Sequence, residues 1–382
     1  MIPQKKVVLV KSGGKRQGGL EKYTRNLAQG FVDSGCAVTL LTTGTGIHGT
    51  LPEEVEIITL GPQRWLSVAH VWEFNRLCQQ WLNTHSHDIV FGMDRTTYQT
   101  HYRAGNGVHA AYLARRQAGE GFWKSLSLSW NPLHQLLLQY ERQAFEHPEL
   151  RVLFTNSHMV KQEILNHYRV ESDRIQVVHN GVQWEEWAEP FSGWKQKRNE
   201  HLTIAGLDPD KYQLLFVGHD YRRKGLMSLM RGMQALGRKD IQLSVVGRER
   251  DVPRYLGLAQ HLGLKDQVFF YGQQTVMLPF YQSADALVIP SLYDPFANVT
   301  LEAMAMGLFV VSSKDNGASE ILTPESGCCI SDVKDPHSVA SALRCALERP
   351  KSTESAQQIR ELAEAYDFSQ QLQTLVKTTL QS

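Results

Sequence analysis

The chain has 382 residues, too many for one ordinary hydrophobic core, so two domains are expected. Hydrophobic residues make up 42% and charged residues 21%, the composition of a soluble globular protein. Forty Lys and Arg against thirty-nine Asp and Glu leave a net charge of +1, which argues against a nucleic-acid binder.

The chain opens on the apolar run Val7–Val10, too short for a signal peptide, and no later stretch is long and apolar enough to cross a bilayer. The five cysteines (Cys36, Cys78, Cys328, Cys329 and Cys345) form no C-x-x-C pair. A reducing cytoplasm is therefore the expectation, with the cysteines mostly filling core.

Short apolar runs alternate with helical patterns, which predicts βα units and mainly parallel sheets. In the first half the predicted strands are 7–10, 38–42, 55–60, 88–91, 152–155 and 175–178. Leu20, Tyr23, Leu27 and Phe31 space as one helix face, and Gly35 follows. The rhythm breaks between Gly181 and His201, a stretch rich in Trp, Glu, Pro and Gly that reads as the linker. Strands resume at 214–217, 243–246, 268–271, 286–289, 308–312 and 328–330. The architecture expected is α/β, with two doubly wound, Rossmann-like domains in tandem. Ligands in such sheets bind at the carboxyl ends of strands.

Three loops follow strands and carry chemistry. The first reads Lys11-Ser12-Gly13-Gly14-Lys15-Arg16-Gln17-Gly18-Gly19-Leu20. Its glycines allow close backbone approach, and the helix start behind them suits phosphate. The spacing matches neither G-x-G-x-x-G nor a P-loop, which counts against nicotinamide cofactors and ATP hydrolysis. The second loop reads Gly218-His219-Asp220-Tyr221-Arg222-Arg223-Lys224-Gly225. An unpaired cation cluster at a strand end would neutralise diphosphate oxygens, although a solvated basic turn is the plainer reading.

The third and most specific stretch runs from Pro290 to Gly307. Asn298 reads as an N-cap, 299–306 as a mostly apolar helix, and Gly307 as its stop. Glu302 is out of place on so apolar a helix, because a buried carboxylate needs partners. A ribose diol would supply them, as would neighbouring backbone. Asp294 can face the same cavity, and the helix amino end near Phe296-Ala297-Asn298 can hold phosphate.

Other features are weaker. Asp208-Pro209-Asp210 resembles a metal-binding D-x-D but precedes a strand, so a solvated turn is expected. His85-Ser86-His87-Asp88 lacks a third ligand group nearby. Residues 95–130 hold Arg95, Arg103, Arg115, Arg116 and Lys124 against Glu120 alone, interleaved with Tyr98, Tyr102, Tyr112, Phe122, Trp123 and Trp130. Such a patch could meet anionic lipid head groups or a phosphorylated glycan, or divide into buried aromatics and solvated arginines.

Taken together, these loops resemble the retaining glycosyltransferases of family 4, which have the GT-B fold of two Rossmann-like domains facing across a cleft. Thr155-Asn156-Ser157 and Val178-His179-Asn180-Gly181-Val182 add to the resemblance, which runs over nearly the whole chain. Val217-Gly218 with Arg223-Lys224-Gly225, and Tyr102-Arg103-Ala104-Gly105-Asn106-Gly107-Val108-His109, are most similar to lipopolysaccharide core glycosyltransferases, in particular the heptose-directed core glucosyltransferase type.

The resemblance implies an acceptor-binding domain over 1–185, with a C-terminal helix at about 367–382 packing back on it, and a nucleotide-sugar-binding domain over 186–366. Glu302 would bind the donor ribose. Arg223 and Lys224 would hold the diphosphate. Asp294 and the amides of Phe296, Ala297 and Asn298 would contact sugar and phosphate. Gly18 and Gly19 would close over the donor, and His109 would sit near the anomeric centre.

Two positions depart from the family pattern. Asp294 stands where Glu is usual, and His219 stands where Arg is common, a charge that Arg223 can supply. Asn106 is a poor candidate base.

The expected reaction is retaining transfer of a hexose, without a metal or other cofactor, from UDP-glucose or another nucleotide sugar to a lipopolysaccharide core or related glycan. The enzyme would be cytoplasmic and peripheral on the inner membrane face through the 95–130 patch. The rival readings are a GT-B enzyme of another kind such as an epimerase, a transferase using UDP-GlcNAc or GDP-mannose, and a non-catalytic sugar-binding protein.

Overall fold

The computed structural model describes residues 4–13, 19–43, 51–61, 67–118 and 130–382. The chain divides into two compact units, Met1–His179 with Gln370–Ser382, and Asn180–Ser369.

The sheet of the first unit holds β1 (Lys6–Val10), β2 (Ala37–Thr42), β3 (Glu56–Thr59), β4 (Ile89–Gly92), β5 (His101–Arg103), β6 (Val152–Thr155) and β7 (Ile175–Val177). Their order is β3-β2-β1-β4-β5-β6-β7, all parallel. Val7 to Val10 are buried without interruption, as a central strand covered on both faces requires.

β5 has no counterpart in the sequence reading. His101-Tyr102-Arg103 is three residues long and polar, yet all three are buried. His101 is satisfied at both ring nitrogens, by Thr100 Oγ1 at 2.9 Å and Ser382 Oγ at 2.6 Å. Burial, helped by Arg151 and Lys5, pushes its pKa down to about 4, so this inner histidine stays neutral. Residues 370–381 of the last helix, Phe368–Gln381, add Leu375 and Val376 to the core around Val7, Leu27 and Phe31.

The second unit holds β8 (Tyr212–Val217), β9 (Ile241–Val246), β10 (Val268–Gly272), β11 (Ala286–Ile289), β12 (Phe309–Ser313) and β13 (Gly327–Ile330). The order is β10-β9-β8-β11-β12-β13, again all parallel. Strand order reverses between β8 and β11, so the loops after these two strands diverge from a common point, where such sheets take their ligands.

The segment 181–201, expected to be linker, is instead folded as part of the second unit. It forms the short helices Trp184–Trp187 and Ala188–Ser192 and the start of Trp194–Ile204. Its aromatic residues are anchors rather than marks of irregular chain. The Arg360 guanidinium lies 4.2 Å from the Trp184 ring and 5.1 Å from that of Phe191. It donates to Ala305 O at 2.7 Å and Trp184 O at 2.9 Å. Ala305 is the last residue of the Asn298–Ala305 helix, so Arg360 satisfies a terminal carbonyl of the helix that bears Glu302.

Among the described residues no helix is long and apolar enough to cross a membrane.

Arg360→Ala removes two buried donors and the filling between two rings. The variant is expected to lose about 3 kcal/mol of stability in the second unit, read from urea denaturation. A loss under about 1 kcal/mol would mean that Arg360 does not hold this corner.

Candidate functional site

The loop after β8 is built to bring cations to the strand-order reversal. Gly225, with φ +81°, precedes the Leu226–Leu236 helix, and a Cβ there would lie 1.9 Å from Pro290 O. Only glycine allows the loop to press so closely on the end of β11. A Cβ on Gly218 would lie 2.8 Å from Lys224 Cγ, so that glycine leaves room for the lysine stem.

Lys224 is buried and its Nζ donates to Asp294 Oδ2 at 2.6 Å. Arg223 Nη1 donates to the same oxygen at 3.1 Å and to Tyr293 O at 3.0 Å. The two cations expected to be unpaired therefore share one buried carboxylate. The physical reason is burial, since an ammonium withdrawn from water needs a counter-charge within reach.

The other Asp294 oxygen accepts from Phe296 N at 3.2 Å. The fully buried Asn316 accepts from Ala297 N at 3.1 Å and donates to Ser312 Oγ at 2.9 Å. Two of the three amides expected to meet the ligand are thus engaged within the protein. Asn298 is also not the N-cap. Ala297 holds that place, and Asn298 is the first helical residue. Its side-chain oxygen accepts from Asn180 Nδ2 at 2.5 Å, and its backbone N–H has no hydrogen-bond partner among the described residues. That amide stays open at the positive end of a helix.

Glu302 lies one turn further along, half-buried, and its Oε2 accepts from Tyr281 Oη at 2.6 Å. Tyr281 is fully buried. Burial first, then the Glu302 charge and hydrogen bond, raise its hydroxyl well above the usual phenol range. The structure thus brings Arg223 and Lys224, after β8, together with Asp294 and the Phe296–Asn298 backbone, after the neighbouring β11, with Glu302 on the helix that follows. Sequence reasoning missed Tyr281 and Asn316. Nothing in the spacing marks either one, because both act through partners distant in the chain. His219, at the departure from the family pattern, is exposed, and its Nδ1 accepts from Arg248 N at 2.9 Å.

In the first unit, Gly18 lies outside the described residues, and Gly19 opens the Gly19–Asp33 helix. The start of that loop is tied to Asp94, whose Oδ2 accepts from Ser12 N at 2.7 Å, Ser12 Oγ at 2.8 Å and Lys11 Nζ at 3.2 Å. Asp94 follows β4 and was not singled out by any motif.

His109 begins the His109–Ala118 helix. Its backbone N–H donates to both oxygens of Glu141, at 2.9 and 3.0 Å. Glu141 also accepts from Tyr168 Oη at 2.6 Å, Ala110 N at 3.3 Å and Arg95 Nε at 3.3 Å, and is 1% exposed. This buried carboxylate caps the helix from outside it. The His109 ring Nε2 lies 3.1 Å from His134 Nδ1. Burial first, then Arg95 and His134, push the His109 pKa down to about 4, so the imidazole is neutral at ordinary pH.

The described part of 95–130 does not form a continuous basic surface. Arg95 pairs with Glu141, Arg103 lies 3.9 Å over the Tyr23 ring, and Arg115 pairs with Glu163 at 2.5 Å. Arg116 and Trp130 are exposed. Glu120, Phe122, Trp123 and Lys124 lie outside the described residues. Asp208 and Asp210 form a turn closed by Asp210 N to Asp208 Oδ1 at 3.0 Å, as expected of a solvated corner.

Two doubly wound parallel sheets, one with a cation pair and an acidic helix where strand order reverses, define a glycosyltransferase of the GT-B class. The profile of Glycosyl transferases group 1 matches residues 197–365, and that of Glycosyltransferase Family 4 matches residues 17–186. The chain belongs to this glycosyltransferase family.

The uncharacterized glycosyltransferase MJ1607 of Methanocaldococcus jannaschii is 28% identical over 344 residues, 85% of this chain and 83% of its own. The lipopolysaccharide glucosyltransferase WaaG of Escherichia coli is 24% identical over 358 residues, 92% of each chain. A crystal structure of WaaG superposes with a TM-score of 0.75 at 22% identity, covering 97% of this chain and 98% of the other. Anabaena HepE in complex with UDP gives 0.72 at 16% identity, covering 99% and 100%. At these identities the structural likeness shows the fold.

A histidine whose folded pKa lies below its unfolded value costs stability only as pH falls from about 6.5 towards 4. A histidine NMR titration is expected to place the His109 midpoint near 4. A midpoint near 6.5 would refute the neutral, buried imidazole.

Proposed function

We propose that the chain is a retaining transferase that moves a hexose from a nucleotide diphosphate sugar, with UDP-glucose the first candidate, to a lipopolysaccharide core or related glycan. The observation that carries this reading is the sharing of Asp294 Oδ2 by Lys224 and Arg223 beside the open Asn298 amide. The Lys224 ammonium and the Arg223 guanidinium are strong donors for phosphate oxygens even with Asp294 and, at 3.8 Å, Asp220 beside them, and the helix end adds positive potential, which together suit a diphosphate. Glu302 supplies the acceptor atoms for a ribose diol. Asp294 and the Phe296–Asn298 turn meet the sugar and its phosphate, while Gly18 and Gly19 as donor contacts and His109 as a sugar contact rest on the family resemblance alone. In this reading the second unit binds the nucleotide sugar and the first binds the acceptor.

In the mechanism proposed, the bond from the anomeric carbon to phosphate oxygen breaks and its electron pair leaves with the nucleoside diphosphate. Lys224 and Arg223 stabilise that charge, in the role a divalent ion has in metal-dependent transferases. The acceptor oxygen bonds to the anomeric carbon on the same face, and its proton passes to a donor phosphate oxygen. The likeness to WaaG supports the choice of glucose and of a lipopolysaccharide acceptor, and the UDP held by HepE supports the nucleotide.

We place the enzyme in the cytoplasm, at the inner face of the inner membrane. Exposed Arg116 and Trp130, a cation and an interfacial aromatic, support contact with an anionic surface.

Two experiments test this reading. A panel of nucleotide sugars offered with truncated lipopolysaccharide, read by mass spectrometry, is expected to show hexose added to the acceptor from UDP-glucose. Conversion of the donor alone would instead indicate an epimerase. In the same assay EDTA is expected to leave turnover unchanged, and Lys224→Ala to lower it more than tenfold, about 1.4 kcal/mol. A smaller loss would remove Lys224 from the leaving-group role. Separately, the protein is expected to sediment with anionic liposomes at low salt and to be released by salt. No sedimentation would end the membrane assignment.

A further inference from the structure

We propose that Tyr281 is a positioning residue that aims the Glu302 carboxylate at the ribose and thereby makes the site selective for ribonucleotides. The inference rests on the ribose role given to Glu302 above. The flanking residues Leu301, Ala303, Met304 and Ala305 are fully buried, so Glu302 is the one acidic group on an apolar helix. A flexible carboxylate in that setting would sample several rotamers, each with a different direction for its lone pairs. The 2.6 Å hydrogen bond from Tyr281 selects one of them.

The phenol is the fixed partner of the two. It sits on the Leu278–Ser283 helix, which is fastened residue by residue. Tyr281 O accepts from Lys351 Nζ at 3.4 Å, Gln282 donates to Pro190 O at 2.9 Å, and Ser283 O accepts from Arg198 Nη1 at 2.5 Å. The Tyr281 ring packs edge-on against Trp187, centroids 5.5 Å apart. Glu302 must therefore come to Tyr281, since the phenol cannot follow the carboxylate. Burial keeps that phenol protonated, so it remains a donor. A carboxylate has roughly four acceptor positions. Tyr281 takes one and so orients the others, as a supporting group does for a binding residue.

A purely structural tyrosine would leave selectivity untouched, and this separates the two roles. Titration calorimetry would compare UDP, GDP or ADP, whichever binds tightest, with its 2′-deoxy form. The wild-type chain is expected to prefer the ribonucleotide at least about tenfold, one charge-assisted hydrogen bond. Tyr281→Phe is expected to cut that ratio to under about threefold. If the phenylalanine variant folds poorly, Trp187→Leu, which removes the ring packed against the phenol, is expected to cut the ratio as well. Thermal melting of each variant reports folding separately. A variant that binds more weakly but keeps the full ratio overturns the positioning role and leaves the ribose role of Glu302 standing. A wild-type chain with no preference overturns both.

Discussion

Asp294 Oδ2 is shared by the Lys224 ammonium at 2.6 Å and the Arg223 guanidinium at 3.1 Å, and the rest of the second unit's functional end depends on that shared oxygen. It ties the loop after β8 to the loop after β11, the two strands between which the sheet reverses order. Removing Asp294 would leave the buried Lys224 ammonium uncompensated, a penalty of about 3–5 kcal/mol. The arrangement is therefore held in place before any ligand arrives. Arg223 also lies 3.8 Å from Asp220 Oδ2, so the two cations are nearly balanced by carboxylates within the protein.

Carboxylates withdrawn wholly or partly from water recur as organisers in both units. Asp294 gathers two cations and a backbone amide, Glu302 accepts from a fixed phenol, and Glu141 caps a helix while pairing with Arg95 and Tyr168. In each case an acid that would be costly alone becomes affordable through several donors, and the cost of disrupting it makes the local geometry stiff. His109 is the contrasting group. Its backbone is held by Glu141, while its ring is kept uncharged by burial and by the cation Arg95. A neutral imidazole can donate and accept hydrogen bonds, whereas an imidazolium can only donate.

The two units differ in how far their chemistry is specified. Arg223, Lys224, Asp294 and Glu302 lie at strand ends and on a helix of the second unit, where packing against the sheet holds them. Arg360 adds to this by fixing the far end of the Glu302 helix against Trp184. In the first unit three of the arginines that look like a surface patch in the sequence, Arg95, Arg103 and Arg115, turn to Glu141, Tyr23 and Glu163 and act as structure, while Arg116 stays exposed.

Local pattern determined much of this protein. Apolar runs such as Val7–Val10 and Ala286–Ile289 are strands because a parallel sheet covered on both faces demands continuous hydrophobicity. Arg223, Lys224, Asp294 and Glu302 stood out because charge beside a buried strand or on an apolar helix conflicts with its surroundings. What the sequence could not contain was the choice of partners. Lys224 meets Asp294 from 70 residues away, His109 meets Glu141 from 32, and Glu302 meets Tyr281 from 21. None of these separations follows a helical or strand period, so only the folded chain pairs them. The same holds for β5, a short polar strand that exists because neighbours on both sides supply its hydrogen bonds, and for 181–201, whose tryptophans needed Arg360 and the sheet to become anchors. Tertiary structure decided which charges were paired, which amide stayed open and which histidine stayed neutral, because each depends on burial and distance between segments far apart in the chain.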